Sequence, residues 1–215
     1  MNRRALLALG LLPLAAPVAL AQQSRAPIAP QPKAAALSPQ DRADVARVEA
    51  YLNALRTLRA RFLQVAPDGG ITEGNAWIER PGRMRFEYDP PSPLLLVAGN
   101  GGGMFYDKHL NQVTHFPLSS TPLGILLSDN LKLAGDVTIS GLERLPGQIH
   151  VSLFRTRSPG DGSLTLVFAD NPLSLRQWAI TDPQQRETTV SLFNVTLGGR
   201  FEQKLFETAD PRLRE

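Results

Sequence analysis

Most of the chain after residue 60 consists of short segments in which apolar and polar residues alternate, with turn residues between them. Met84, Phe86 and Tyr88, for instance, alternate with Arg85 and Glu87. A period of two places one face of a β-strand against a core and leaves the other face in solvent. Regular short strands with turn signals between them predict an antiparallel sheet that curls towards a barrel. The predicted strands are 61–66, 71–80, 84–88, 94–98, 104–107, 112–116, 137–142, 149–155, 163–169, 173–182 and 186–197, with 201–206 as a candidate for the last one.

Two segments depart from this alternation and predict helices. Ser38 and Pro39 suit the N-cap and the first turn of a helix that spans roughly residues 40–59 and carries one apolar stripe. Pro122 precedes a second, much shorter helix over the very apolar run 123–127. The pattern therefore predicts a β-rich domain with one helix in front of the sheet and one inserted into it.

The N-terminus has the features of an export signal. Arg3 and Arg4 precede an apolar stretch that ends in small residues, which predicts a signal peptide over residues 1–21 with cleavage after Ala21. These residues leave Sec and twin-arginine export both open. We expect residues 22–38, which are rich in proline, to form a flexible arm, and residues 39–215 to form a single domain. A chain exported in this way is expected in a bacterial periplasm.

Composition excludes several classes of protein. The chain has no cysteine, which excludes disulfides, thiolate metal sites and a cysteine nucleophile. Its formal net charge is +3, and loss of the predicted leader removes two arginines and no acidic residue, which leaves +1. Because a charge near zero gives no electrostatic footprint for nucleic acid, we expect no nucleic-acid partner.

Few residues carry the chemistry of an enzyme. The three histidines, His109, His115 and His150, lack the spacings that bring three or four ligands to a metal. The glycine cluster at 99–103 leads into a predicted strand rather than a helix, which favours a wide turn over a phosphate-binding loop. We therefore expect no catalytic residue, no metal and no cofactor. The apolar residues of the sheet and of the run 123–127 leave two structures open, a solid core or a cavity that holds an apolar ligand.

The segment 73–88, EGNAWIERPGRMRFEY, resembles the signature of the LolA family, the periplasmic outer-membrane lipoprotein carrier proteins. Three further stretches occur in the order found in that family, at 62–64, 106–114 and 121–123. The resemblance is good over about residues 40–130 and looser from there to the C-terminus. The ordered set is more specific than any one of its parts.

This resemblance implies a mainly β (α+β) fold, an unclosed antiparallel β-barrel covered by α-helices, with an apolar cavity between them. It implies a non-enzymatic chaperone, expected to be monomeric, that takes acylated lipoproteins from an inner-membrane ABC transporter to an outer-membrane acceptor. Arg80, in the motif W-x-x-R-P, would bond backbone carbonyls of the lid helix and so close the empty cavity. Gly124 within the lid, and Met84 and Phe86 where larger aromatics are frequent, depart from the family pattern. By the same match, the acyl site would be lined by Leu52, Met84, Phe86, Leu96, Leu123 and Leu126.

Three alternatives accompany this interpretation. The first is a protein of the same fold that carries another lipid, such as a glycolipid or a phospholipid, or that senses mislocalised lipoproteins. A secreted lipid-ester hydrolase is the enzymatic alternative, although the sequence has no recognisable nucleophile elbow. A structural envelope protein with a solid core is the third.

Overall fold

The computed structural model describes residues 32–210. The predicted signal peptide at 1–21 and residues 22–31 of the predicted arm lie outside the described residues. Across residues 32–210, no helix combines the length and the apolar character needed to cross a membrane.

The described end of the predicted arm, residues 32–38, runs along the domain without regular secondary structure. The Ala35 amide donates a hydrogen bond of 2.8 Å to the carbonyl of Ile139, and Leu37 packs against the main core. These contacts bring the segment directly to the start of the first helix.

Eleven antiparallel strands form one sheet within the described part of the chain. The strands are β1 (Thr57–Val65), β2 (Ile71–Glu79), β3 (Arg83–Tyr88), β4 (Leu94–Gly99), β5 (Gly102–Asp107), β6 (Gln112–Pro117), β7 (Val137–Leu145), β8 (Gln148–Arg155), β9 (Ser163–Ala169), β10 (Ser174–Thr181) and β11 (Glu187–Leu197). Their order is β6-β5-β4-β3-β2-β1-β11-β10-β9-β8-β7. The first and last strands therefore pair in the middle, while β6 and β7 form two separate edges. The predicted mainly β, unclosed fold is confirmed.

The first helix, α1, spans Pro39–Ala54 and begins where the sequence predicts. The Ser38 hydroxyl accepts a hydrogen bond of 3.1 Å from the Asp41 amide, and the Asp41 carboxylate accepts one of 2.7 Å from the Ser38 amide. This reciprocal capping box satisfies two amides that the first turn of a helix leaves without partners.

The predicted end of α1 near residue 59 is wrong. The helix buries Val48 and Leu52 completely in the core, but it stops at Ala54. Thr57 already starts β1, whose nine residues all pair with β2 on one side and seven of which pair with β11 on the other. Ladder hydrogen bonds on both sides of a strand outweigh the continuation of one helical turn.

Ion pairs connect α1 to β7 and to the turn between β9 and β10. Asp44, which is only 7% exposed, pairs with Arg47 at 2.8 Å and with Arg144 of β7 at 2.7 Å. Arg47 also pairs with Asp170 in the turn between β9 and β10, at 2.8 Å, and Arg144 with Asp41, at 2.7 Å. The pairing compensates the burial of Asp44, which an isolated carboxylate would not tolerate.

The C-terminal segment 201–206 does not form the predicted last strand. It contains a 3₁₀ helix at Gln203–Phe206 that lies on the outer face of β3 and β4. Gly198 and Gly199 both have positive φ, so they interrupt the extended backbone directly after β11. The segment packs closely against β4: a Cβ atom on Gly99 would lie only 2.3 Å from the Phe206 carbonyl oxygen.

Both faces of β4 are consequently covered. Leu96 packs against the main core on the inner face. On the outer face, Leu95 and Val97 form a small separate cluster with Met104 of β5. The sheet therefore carries one large interior and one minor outer cluster.

Candidate functional site

A cleft of about 440 Å³ opens between the sheet and the helix inserted after β6. This helix, α2, spans Leu123–Leu126 and follows a 3₁₀ turn at Leu118–Ser120. Asp161 and Asp182 are the charged residues of the lining. We call this space the lid cleft; its apolar lining includes Met84, Leu96, Phe116, Leu118, Leu123 and Ile180.

The register between β3 and β4 determines which of their side chains face the lid cleft. Phe86 of β3 stands directly opposite Leu96 of β4, and Met84 stands opposite Ala98, so these side chains share the inner face. Leu123 approaches the same space from α2. The cleft thus lies between α2 and residues of several strands, including β3, β4, β6 and β10.

Phe86 is not part of the cleft lining, because aromatic rings surround it. Its ring centroid lies 4.9 Å from that of Phe62 and 5.9 Å from that of Trp178, and Phe62 contacts Tyr88 in turn at 5.1 Å. Such tilted and edge-on contacts fill the interior below the cleft.

The structure therefore divides the six predicted acyl-site residues into two sets. Three line the lid cleft, namely Met84, Leu96 and Leu123. The other three, Leu52, Phe86 and Leu126, are buried in the main core beyond it, with at most 3% of their surface exposed. Their role in binding lipid stays a prediction.

Nearly the whole of α2 and its flanks is buried, although the helix is a single turn. Within residues 32–210, no side chain caps its N-terminus: the Thr121 hydroxyl donates instead to the Leu118 carbonyl at 3.0 Å. A four-residue helix has no appreciable stability of its own. Packing and contacts from the sheet must therefore hold α2 in place.

Arg80 supplies one of those contacts. It lies in the turn between β2 and β3, is only 4% exposed, and its Nη2 donates a hydrogen bond of 2.5 Å to the carbonyl of Ser128, just beyond α2. The Gly82 amide, two residues on, donates to the Leu127 carbonyl at 2.9 Å. This second bond has no sequence signal, because every residue except proline offers a backbone amide. The Leu127 carbonyl belongs to the C-cap of α2, and the Ser128 carbonyl directly follows it, so both bonds hold the C-terminal end of the helix.

The charge of Arg80 is poorly compensated where it lies. Burial, followed by the nearby positive charge of Arg56, lowers the pKa of Arg80, while Asp129 opposes this effect. Its Nε is buried and has no hydrogen-bond partner within residues 32–210. The contact with Ser128 is thus a charge-assisted bond to a neutral acceptor in a partly desolvated setting.

Comparison with known proteins agrees with this architecture. The family described as "Outer membrane lipoprotein carrier protein LolA" matches residues 53–209 of the chain. The chain belongs to the LolA family. The resemblance of the segment 73–88 to the LolA signature is thereby confirmed.

Relatives named "Outer-membrane lipoprotein carrier protein" include those of Methylococcus capsulatus and Pseudomonas paraeruginosa. That of Methylococcus capsulatus is 28% identical over 174 residues, which cover 77% of this chain and 83% of the relative. That of Pseudomonas paraeruginosa is 29% identical over 175 residues, with the same two coverages. Among solved structures, the LolA superfamily protein NE2245 from Nitrosomonas europaea has 9% identity and a TM-score of 0.43, covering 76% of this chain and 97% of that one.

At its other end, the lid of this LolA-family chain touches a second arginine. Arg155 Nη2, from the last residue of β8, lies 3.4 Å from the Thr121 carbonyl. A Cβ atom on Gly124 would lie 2.7 Å from the same nitrogen and 2.4 Å from the Leu118 carbonyl oxygen. A side chain larger than that of glycine would therefore clash at position 124 with α2 in this position.

The remaining candidate chemical groups do not converge. His109 and His115 are exposed on and beside the β5–β6 hairpin, and His150 contacts Gln148 on β8. Across the described ranges of the chain, no group of three or more histidine, aspartate or glutamate side chains is placed to hold a metal ion.

Proposed function

We propose that this protein binds the acyl chains of lipoproteins in the lid cleft and carries them through an aqueous compartment, without covalent chemistry. The observation that carries the proposal is an apolar cleft roofed by a one-turn helix, which a buried arginine fastens by its end. Membership of the LolA family and relatives named as lipoprotein carriers support the same role.

The finer proposal concerns the route. The N-terminal sequence predicts export, so the compartment would be the periplasm. There the protein would receive acylated lipoproteins from an inner-membrane ABC transporter and deliver them to an outer-membrane acceptor. Both partners follow from the family resemblance.

The size of the lid cleft suits this role only in part. Its volume of about 440 Å³ falls within the range of about 300–1,000 Å³ that small-molecule sites occupy. Leu126 and Phe86 are packed beyond it, so a longer or second chain would reach them only after α2 moves. The carrier would therefore alternate between a closed form with a small cleft and an open form with a larger hollow.

The energetics favour such a moving lid. Burial contributes about 0.8 kcal/mol per methylene, so an acyl chain with about 12 methylenes would gain about 10 kcal/mol. Two or three such chains would reach the practical limit of about 20 kcal/mol for non-covalent binding, and cargo would never leave. Closure of the lid by its own contacts competes with the cargo and limits the net affinity.

A depletion strain tests the proposal. Loss of the protein should strand lipoproteins at the inner membrane, and the wild-type gene should restore them to the outer membrane. Native mass spectrometry of protein purified from the periplasm should show acylated lipoprotein. A bound glycolipid or phospholipid without lipoprotein would instead identify a carrier of another lipid. Lipoproteins sorted normally without the protein would refute the carrier role.

A further inference from the structure

Arg80 also lines a second cleft, of about 340 Å³. We call it the arginine pocket and define it by Arg56, Arg80, Arg83, Arg200 and Glu79. The four arginines against one carboxylate give this lining a net charge of +3. A concave surface with such an excess of one sign attracts and concentrates ions of the opposite sign.

The carboxylates near the pocket neutralise it only partly. Glu79 pairs with Arg83. Asp129 approaches Arg56 to 3.8 Å, but both side chains are more than two-thirds exposed, so the pair is weak. Arg200 is exposed, and no ion pair within residues 32–210 includes it or Arg80.

The burial of Arg80 without a counter-ion in the described part of the chain is a second observation that points to an anion. Arg80 is 96% buried, and the Ser128 carbonyl accepts the one hydrogen bond that its five donors make within residues 32–210. A buried cation without a counter-ion is costly, and a bound anion would reduce that cost. The planar forks of arginine match the oxygens of a phosphate group.

The surroundings favour a lipid surface over a free ion. The pocket shares Arg56 and Thr57 with an adjoining cleft that is also lined by Leu197, whose side chain is exposed. Basic groups beside an exposed apolar side chain are typical of proteins that touch anionic membranes, where headgroups carry phosphate.

We propose that the arginine pocket binds the phosphate of an anionic phospholipid headgroup, and that the bound phosphate competes with the Ser128 carbonyl for Arg80. A charged oxygen is a stronger acceptor for guanidinium than a neutral carbonyl. Contact with a membrane would thus weaken the fastening of α2. This second step rests on the proposed carrier function, whereas phosphate binding does not.

The binding step is tested with vesicles and the intact exported chain. We expect the protein to bind phosphatidylglycerol vesicles and not pure phosphatidylcholine vesicles, and to lose binding as salt rises. Because each arginine near an anionic surface contributes about a fivefold gain in partition, R56Q/R200Q should bind about 30-fold more weakly. R157Q/R176Q, which removes two exposed arginines outside the pocket, is the matched control.

Titration with inorganic phosphate tests whether the arginine pocket binds a lipid headgroup or only a free phosphate ion. We expect phosphate to shift the NMR signal of the Arg80 side chain in the wild type and not in R56Q/R200Q. Phosphate binding without binding to phosphatidylglycerol vesicles would overturn the headgroup assignment. Equal vesicle binding by the two double variants would overturn the site. Binding of polyglutamate in preference to the vesicles would overturn the lipid and point to an acidic protein partner.

The coupling step has its own measurement. With a fluorescent fatty acid bound, phosphatidylglycerol vesicles should slow release from the wild type and from R157Q/R176Q, and not from R56Q/R200Q, because a lid that is less firmly fastened competes less with the bound chain. Equal release from all three would overturn the coupling. If none of the three bound the fatty acid, the carrier function would fail while the vesicle result stood on its own.

Discussion

The substitution Gly124→Ala has two opposing effects on the stability of the lid. In an isolated helix, alanine is more favourable than glycine by about 1 kcal/mol. In the closed lid, the new methyl group would lie 2.4 Å from the Leu118 carbonyl oxygen and 2.7 Å from Arg155 Nη2. The arginine can turn away, but the carbonyl belongs to the backbone and must shift. Overpacking of this kind costs about 1–3 kcal/mol, so we expect a net destabilisation of the closed lid of up to about 2 kcal/mol.

Amide exchange measures this effect at the lid itself. The Gly82 amide donates to the Leu127 carbonyl, so its exchange reports how often the end of α2 comes away from the sheet. A loss of about 2 kcal/mol corresponds to an exchange rate up to about 30-fold faster. Gly141→Ala is the control, because its Cβ would meet only Ser152 Cβ, at an ordinary 3.8 Å. Slower exchange of Gly82 in Gly124→Ala would refute the steric argument.

Three further predictions follow from individual contacts. Arg80→Leu should fold but retain a bound acyl probe about 10- to 100-fold longer, because the closed state loses a charge-assisted bond; probe release at the wild-type rate would contradict this. Hydrogen bonds with Ser38, and then with Arg144, lower the pKa of Asp41 to about 2. The stability from this shift is present above the ordinary pKa of 3.8 and is lost as the pH falls towards 2, so acid unfolding of Asp41→Asn should depend less on pH over that interval. Phe206→Ala should lower the free energy of unfolding by about 3 kcal/mol and leave probe affinity unchanged, since Phe206 lies on the outer face.

Periodicity predicts the strands well because the constraint is local. Met84 and Phe86 face inwards, and Arg83 and Arg85 face outwards, as their alternation indicates. The end of α1 was harder to predict, because Leu55 continues the apolar spacing of the helix and is itself buried. What ends the helix is the pairing of β1 with β11, which lies about 130 residues away in the chain. The 3₁₀ helix at the C-terminus is likewise fixed by packing on a distant face.

In the candidate site, too, some features could be predicted from the sequence and others depend on tertiary contacts. Family resemblance placed Arg80 beside the lid, where the structure finds its bond to Ser128. It did not separate Met84, which lines the cleft, from Phe86, which belongs to an aromatic cluster, because both are apolar and inward-facing. The contacts of Gly82 and Arg155 with α2 have no local sequence signal. They depend on tertiary distances that one sequence does not contain.

The methionine methyl groups offer the most direct test of acyl binding under the lid. Met84 lines the lid cleft, whereas Met104 belongs to the small cluster on the opposite face of the sheet, and Met1 falls in the predicted leader. In the exported protein labelled at methionine methyls, titration with a fatty acid or a synthetic acylated peptide should shift the Met84 signal and leave that of Met104 in place. Saturation of the ligand with an unchanged Met84 signal, or with equal changes at both, would contradict binding in the lid cleft.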